Sequence, residues 1–215
     1  MAPIDLFDPA LASQRQSTNT SDVVGRFRSG YQINGQPASL TEWRITTGDP
    51  DVAKTVKDLF GGDKPQEWET KGEDNIEVFT KAGEVDIVLA NAEAIDARML
   101  IWPRGQKRIV VCDGSVFDTD GRPYECEIGG FRNKKEHDEQ DHLCEPRVSI
   151  TFRLADAPEL GLFRFESGAW SLATNIARPL GQIGDRTDVK CKLSLERVEM
   201  RNGNTFTKPV LTVEG

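Results

Sequence analysis

The stretch NIEVFTKAGEVDIVLANAEAIDARMLIWPRGQKRIVVC, residues 75–112, decides the fold class of this chain. It holds four β-rich runs, predicted as strands at residues 75–80, 84–90, 97–102 and 107–112. Residues 81–83 and 103–106 separate two pairs of these runs and have the Gly and Pro content of hairpin connections. Strands joined by such short connections predict antiparallel pairing.

Strand patterns also occur on both sides of this stretch. Further strands are predicted at residues 40–47, 147–154, 160–167, 191–200 and 206–215. The last two are separated by the turn sequence RNGN at residues 201–204.

Two helices accompany the strands. The sequence from Asp49 to Gly62 supplies a capping acid, a proline for the first turn, an apolar face and a glycine pair as a stop. A second helix is predicted near residues 170–184, where Pro179 marks a kink or break. Its apolar face consists of Leu172, Ile176, Leu180 and Ile183.

These patterns together predict an α+β fold with a mixed, largely antiparallel β-sheet, two packing helices and one loop-rich insert. Residues 1–22 are rich in Ser, Thr, Gln and Asn and are expected to form a mobile N-terminal arm. Residues 23–215 are expected to form a single α+β domain, with residues 112–146 as a Cys/His-rich insert.

Charge and composition favour a protein partner. The formal net charge is −8, and the basic runs at residues 104–108 and 132–135 are short, so direct binding to duplex DNA is disfavoured. Neither a signal peptide nor a membrane-spanning run is evident, which indicates a cytoplasmic location.

Signatures of catalysis are missing from the sequence. No phosphate-binding P-loop, dinucleotide-binding glycine pattern or G-x-S-x-G motif is present, and both histidines lie in the insert. The chain is therefore expected not to be an enzyme.

The insert carries three of the four cysteines and both histidines. Cys112, Cys126, His142 and Cys144 are the predicted ligands of a structural zinc, which prefers thiolate and imidazole, and His137 competes with His142 for the fourth place. The alternative is an uncoordinated acidic loop, because the spacings lack C-x-x-C pairs. A catalytic zinc is disfavoured, since neither H-E-x-x-H nor H-x-E combined with P-C-x-x-C occurs in the sequence. Outside the insert, Cys191 is expected to be a core thiol.

Several stretches resemble one known family in the same order along the chain. They are TEWRITTGDPDVAKTVKDLFGG (41–62), PQEWETKGEDNIEVFT (65–80), VVCDG (110–114), SITFRLADAPELGLFRFESGAWSLA (149–173) and FTKPVLTVEG (206–215). They are similar to the recombination directionality factor-like proteins of temperate Streptomyces phages, which are partners of large serine integrases.

The resemblance implies a non-catalytic factor in the cytoplasm of the bacterial host. It would bind a phage integrase, with the coiled-coil arm as the expected contact, and switch it from integration to excision by attL x attR recombination. Attachment-site DNA would be contacted only indirectly, through the integrase. The resemblance also implies metal binding by Cys112, Cys126 and Cys144. Tyr124 stands where a further cysteine is expected, which leaves the fourth ligand open.

Trp68, flanked by acids and followed by a Gly-containing segment, is the predicted partner-contacting residue, with Trp43 as a weaker candidate. Each tryptophan has the alternative of a core position, which is favoured for Trp102 and Trp170. The alternative function is a single-stranded DNA-binding or replication accessory protein of a phage, which would need aromatic side chains on a basic groove. A small zinc hydrolase and a structural phage protein are further alternatives.

Overall fold

The structure is a computed structural model of the 215-residue chain. It describes residues 22–33, 36–101, 110–112, 144–200, 203 and 205–214. The predicted N-terminal arm and most of the Cys/His-rich insert lie outside these residues, as does Trp102. Within the described ranges, no helix has the length and apolar character that crossing a membrane requires.

The described strands form one eleven-stranded sheet. They are β1 (Val23–Ile33), β2 (Gln36–Thr47), β3 (Gln66–Glu67), β4 (Ile76–Phe79), β5 (Glu84–Leu89), β6 (Ile95–Ile101), β7 (Val110–Cys112), β8 (Cys144–Leu154), β9 (Leu162–Ser167), β10 (Val189–Glu199) and β11 (Thr205–Val213). The strand order is β11-β10-β5-β8-β9-β1-β2-β4-β3. Outside this order, β6 pairs with β8 and with β7. Among these strands, β1 and β9 form the one parallel pair. The predicted α+β class with a largely antiparallel sheet is confirmed.

Residues 81–83 are not a hairpin connection, so this prediction is wrong. β4 pairs with β2 and β3, whereas β5 pairs with β10 and β8. The backbone of the connection bonds to other strands: Trp43 N donates to Ala82 O at 2.9 Å, and Leu195 N donates to Gly83 O at 2.8 Å. These bonds to β2 and β10 hold the chain in a crossing between two parts of the sheet.

Two other predicted antiparallel pairings are confirmed. β6 pairs with β7, with Met99 opposite Cys112. β10 pairs with β11 from Cys191 opposite Val213 to Glu199 opposite Thr205. Residues 102–109, which join β6 to β7, lie outside the described residues.

The first predicted helix is confirmed as α1 (Pro50–Phe60). The Asp49 carboxylate accepts hydrogen bonds from Asp51 N at 2.8 Å and Val52 N at 3.4 Å, satisfying backbone donors that have no partner within the helix. Gly61 follows with φ of 66°, a left-handed value that glycine adopts without strain.

In place of the second predicted helix the chain forms two short helices, α2 (Trp170–Ala173) and α3 (Ala177–Ile183). The described residues therefore contain three α-helices, and the prediction of two is wrong. The chain turns between them, and Pro179 lies within α3 instead of at the break. Pro179 is only the third residue of α3, where a backbone N–H has no helical partner, so its missing donor costs little. The predicted apolar face is buried: Leu172, Ile176, Leu180 and Ile183.

The core is built on aromatic side chains from four strands. Phe27 of β1 packs edge-to-face on Trp43, with ring centroids 5.6 Å apart, and on Phe152, with centroids 5.2 Å apart. Trp43 packs on Phe165 at 5.1 Å and is 0% exposed. Trp43 is therefore a core residue, and its prediction as a partner contact is wrong. Trp170 is half-buried and packs against this core.

Candidate functional site

The outer face of β1, β2 and β4 collects arginines. Phe27 and Ile45 point into the core, so the alternating neighbours on these strands face away from it. In register, Arg28 lies opposite Arg44, and Arg44 lies opposite Phe79. The sheet thus brings together two guanidinium groups that are sixteen residues apart in the chain.

Trp68 covers these arginines. It follows β3, and its backbone N donates to Asn75 O at 3.0 Å, while its indole Nε1 donates to Asp74 O at 2.7 Å. The guanidinium carbon of Arg44 lies 4.4 Å from the indole centroid and that of Arg28 lies 5.5 Å from it. Both distances are in the range of cation–π attraction, which contributes about 0.5–2 kcal/mol each. Trp68 is half-buried, with one side of the ring supported by cations.

Two neighbouring arginines are paired with carboxylates. Arg44 Nε donates to Glu77 Oε2 at 2.7 Å, and Glu77 Oε1 also accepts from Gln66 Nε2 at 3.0 Å. Arg26 Nε donates to Asp74 Oδ2 at 2.7 Å. Arg44 and Glu77 are buried, with 7% and 8% exposure, so their pairing orients the guanidinium under Trp68.

Arg28 differs from these neighbours. Its Nε donates to the Thr46 hydroxyl at 3.0 Å, and it forms no ion pair with a carboxylate among the described residues. Burial lowers the pKa of the Arg28 guanidinium, and the positive charges of Arg44 and Arg26 lower it further. The carboxylates of Asp74 and Glu166 act in the opposite direction and raise this pKa. An arginine keeps its proton at neutral pH, so Arg28 is a partly desolvated cation that forms no ion pair among the described residues.

These side chains line a cleft of about 870 Å³. Tyr31 and Phe79 form part of its wall, with ring centroids 5.9 Å apart in an edge-to-face arrangement. The other lining residues are Arg28, Ser29, Gly30, Ala38, Ser39, Arg44, Trp68, Glu69 and Glu77. The cleft, named here the Trp68 cleft, therefore combines cationic and aromatic surfaces.

Sequence reasoning found Trp68 but missed Arg28 and Arg44. Arginines alternate with Phe27 at residues 26–28, and Arg44 follows Trp43. Such alternation of apolar and charged residues indicates that the two faces of a strand differ. It does not reveal which strands become neighbours. The role of Trp68 in partner binding stays a prediction.

The predicted zinc ligands are described only in part. Cys112 ends β7 opposite Met99, and Cys144 begins β8 opposite Ile101, so these two backbone positions flank β6. Cys126, His142 and its competitor His137 lie outside the described residues. Within the described ranges, no group of three or more His, Cys, Asp or Glu side chains is placed to hold a metal. Zinc binding stays a prediction.

Cys191 is confirmed as a core thiol. It lies in β10 with 1% exposure. Burial raises the pKa of the Cys191 thiol to about 11, because the thiolate is disfavoured away from water. This cysteine is therefore protonated and protected at neutral pH.

The fold and site define a largely antiparallel α+β protein with an aromatic and cationic cleft on its sheet. Over residues 24–214 the chain matches the family described as Gp3-like, recombination directionality factor-like. The match covers most of the 215 residues, and the chain belongs to this family. The suspected resemblance is thereby confirmed. No solved structure matches the chain.

Proposed function

We propose that this chain is a recombination directionality factor that binds a phage large serine integrase in the cytoplasm of the bacterial host. Binding would switch the integrase from integration to excision, the recombination of attL with attR. The observation that carries this proposal is the family match over residues 24–214. The net charge of −8 supports it, because an acidic surface favours a protein partner over DNA.

Such a factor acts by differential binding. A ligand with equal affinity for two integrase states shifts neither, whereas reversal of a 1:99 preference requires about 10⁴-fold tighter binding to the favoured state. The coiled-coil arm of the integrase is the proposed element with two positions. The factor supplies no catalytic group and contacts attachment-site DNA only through the integrase.

We also propose that the Cys/His-rich insert is held by a structural zinc. Cys112 and Cys144 lie at the two ends of the insert, on β7 and β8, which flank β6. Their register partners in β6, Met99 and Ile101, are two residues apart. Thiolate and imidazole donors suit zinc, and Cys126 with His142 or His137 would complete four ligands. Bound zinc would stabilise a segment that has few apolar residues to pack.

The alternative function, single-stranded DNA binding, has one observation in its favour. Trp68 offers an aromatic face beside Arg28 and Arg44, the combination on which bases stack. The acidic net charge and the nearby Glu69 and Glu77 oppose it, because both repel phosphates.

The test is recombination by purified large serine integrases on defined attachment sites. We expect attL x attR recombination to appear only when the chain is added and attP x attB recombination to fall in the same titration. The control reaction replaces the chain with its heat-unfolded form. Unchanged recombination on both substrate pairs, with a panel of such integrases, would contradict the proposal. Salt-dependent retention on single-stranded DNA without integrase would then favour the alternative.

A further inference from the structure

We propose that the Trp68 cleft is the docking site for an acidic segment of the partner protein. Arg28 would receive a Glu or Asp carboxylate, and the aromatic walls would hold an apolar side chain next to it. This inference rests on the proposed function, because it names the chemistry by which the integrase would be recognised. The integrase residues themselves are identified only as an acidic segment with an apolar neighbour.

The charges around Arg28 favour an acidic occupant. Arg26 and Arg44 each have a carboxylate partner, Asp74 and Glu77, whereas Arg28 has a hydroxyl. Arg164 of β9 lies opposite Arg26 in register, and its buried Nε has no hydrogen-bond partner among the described residues. Neither Arg28 nor Arg164 forms an ion pair among the described residues, although the whole chain is acidic. An incoming carboxylate would compensate a cation that is already partly desolvated.

The side chains of the Trp68 cleft are held in place before a partner binds. Arg44 is fixed between Glu77 and the Trp68 ring, and Trp68 is fixed by its indole bond to Asp74 O. Arg28 is oriented by its bond to Thr46 and by its position beside the same ring. A guanidinium held in this way loses little conformational entropy when it forms paired bonds to a carboxylate. Tyr31 and Phe79 add aromatic surface, which is common at the energetic centres of interfaces.

The charge pattern of the cleft fits a protein segment better than a nucleic acid. A phosphate backbone needs a track of several free cations, whereas within the described part of this cleft only Arg28 lacks a carboxylate partner. Glu77 is paired with Arg44, and Glu69 also borders the cleft, which opposes a run of phosphates more than a single carboxylate that pairs with Arg28. One arginine without an ion-pair partner, beside aromatic walls, instead matches a single carboxylate next to an apolar side chain.

The test measures the dissociation constant between the full chain and a purified integrase that the unmodified chain activates for excision. Arg28→Ala is expected to weaken binding about 10- to 30-fold and to reduce its dependence on salt, because the lost contact is a charge pair. Arg28→Glu should weaken it further. The control is Arg153→Ala, which removes an exposed arginine of β8 outside the cleft and should change affinity less than about 2-fold. Thermal unfolding of each variant checks that the fold is retained.

The outcomes separate this inference from the proposed function. If the unmodified chain activates excision while Arg28→Ala and Arg28→Glu bind as tightly as Arg153→Ala, the acidic-segment inference is overturned and the proposed function stands. If the unmodified chain neither binds nor activates any integrase of the panel, both are overturned. If Arg28→Ala instead abolishes retention on oligothymidylate without affecting integrase binding, the cleft is a nucleic-acid site and the inference is wrong.

Discussion

Trp43 and Trp68 occupy opposite sides of the same sheet. Trp43 has no exposed surface, and its buried indole Nε1 has no hydrogen-bond partner within the part of the chain that the structure describes. Trp68 keeps an exposed portion, and its Nε1 donates to Asp74 O. One indole therefore contributes by packing in the core, whereas the other covers arginines at the surface.

Truncation of these two residues should have unequal effects on stability. Trp43→Ala should lower the free energy of unfolding by about 3–5 kcal/mol, because it leaves a large cavity among the core aromatics. Trp68→Ala should lower it by about 1.5–3 kcal/mol through two lost cation–π contacts and one hydrogen bond. Urea unfolding followed by far-UV circular dichroism measures both. Equal losses would contradict the core and surface assignment.

The Cys191 thiol predicts a pH dependence of stability. Its pKa is about 11 in the folded chain and about 8.5 when unfolded, so the folded state holds the proton more tightly. This contribution is complete below about pH 8.5 and is lost as pH rises through about 11. It amounts to at most about 3 kcal/mol.

The measurement compares urea unfolding of the unmodified chain and Cys191→Ala between pH 8 and pH 11. The difference in unfolding free energy between the two proteins should shrink as pH rises. Because all other titrating groups are common to both, a constant difference would show that burial of the thiol does not shift its pKa.

At the scale of elements, substitution by alanine should change the stability in opposite directions at two glycines, one just after α1 and one inside α3. Gly62 follows α1 with φ of 101°, and a Cβ there would lie 2.8 Å from Thr80 Cα and collide with the Phe79 carbonyl. Gly181 lies inside α3, and a Cβ there would meet nothing within 4 Å. The backbone path at residue 62 therefore requires glycine, whereas that at residue 181 does not.

Gly62→Ala should lower the free energy of unfolding by more than about 2 kcal/mol, because strain and a backbone collision add. Gly181→Ala should raise it by about 0.4–1 kcal/mol, since alanine is the better helix former and reduces the freedom of the unfolded chain. Thermal unfolding midpoints of the two variants provide the comparison. A destabilising Gly181→Ala would be evidence against α3 as described.

At the scale of the whole molecule, zinc would connect the Cys/His-rich insert to the sheet. The purified chain is expected to contain about one zinc per chain, and Cys126→Ser should lose it because a structural site needs all four ligands. A chelator should also lower the unfolding midpoint of the unmodified chain. Elemental analysis measures the zinc content of each protein. The control is Cys191→Ala, which should retain its zinc. A metal-free chain unaffected by chelator would contradict the prediction.

The sequence predicted those features whose signals lie within a few residues. Alternating apolar residues identified most strands, and Asp49 with Gly61 identified both ends of α1. β1 was missed, because Arg26 and Arg28 make it look polar although Phe27 faces the core. The ordered series of stretches also identified the family.

Only the tertiary structure decided which strands are neighbours. Three features depend on residues far apart in the chain. They are the crossing at residues 81–83, the parallel pair of β1 with β9, and the register that places Arg28 opposite Arg44. The Trp68 cleft exists because of that register. Local patterns report which side of a strand is buried, whereas strand pairing is decided by the packing of whole faces against one another, and no short stretch encodes it.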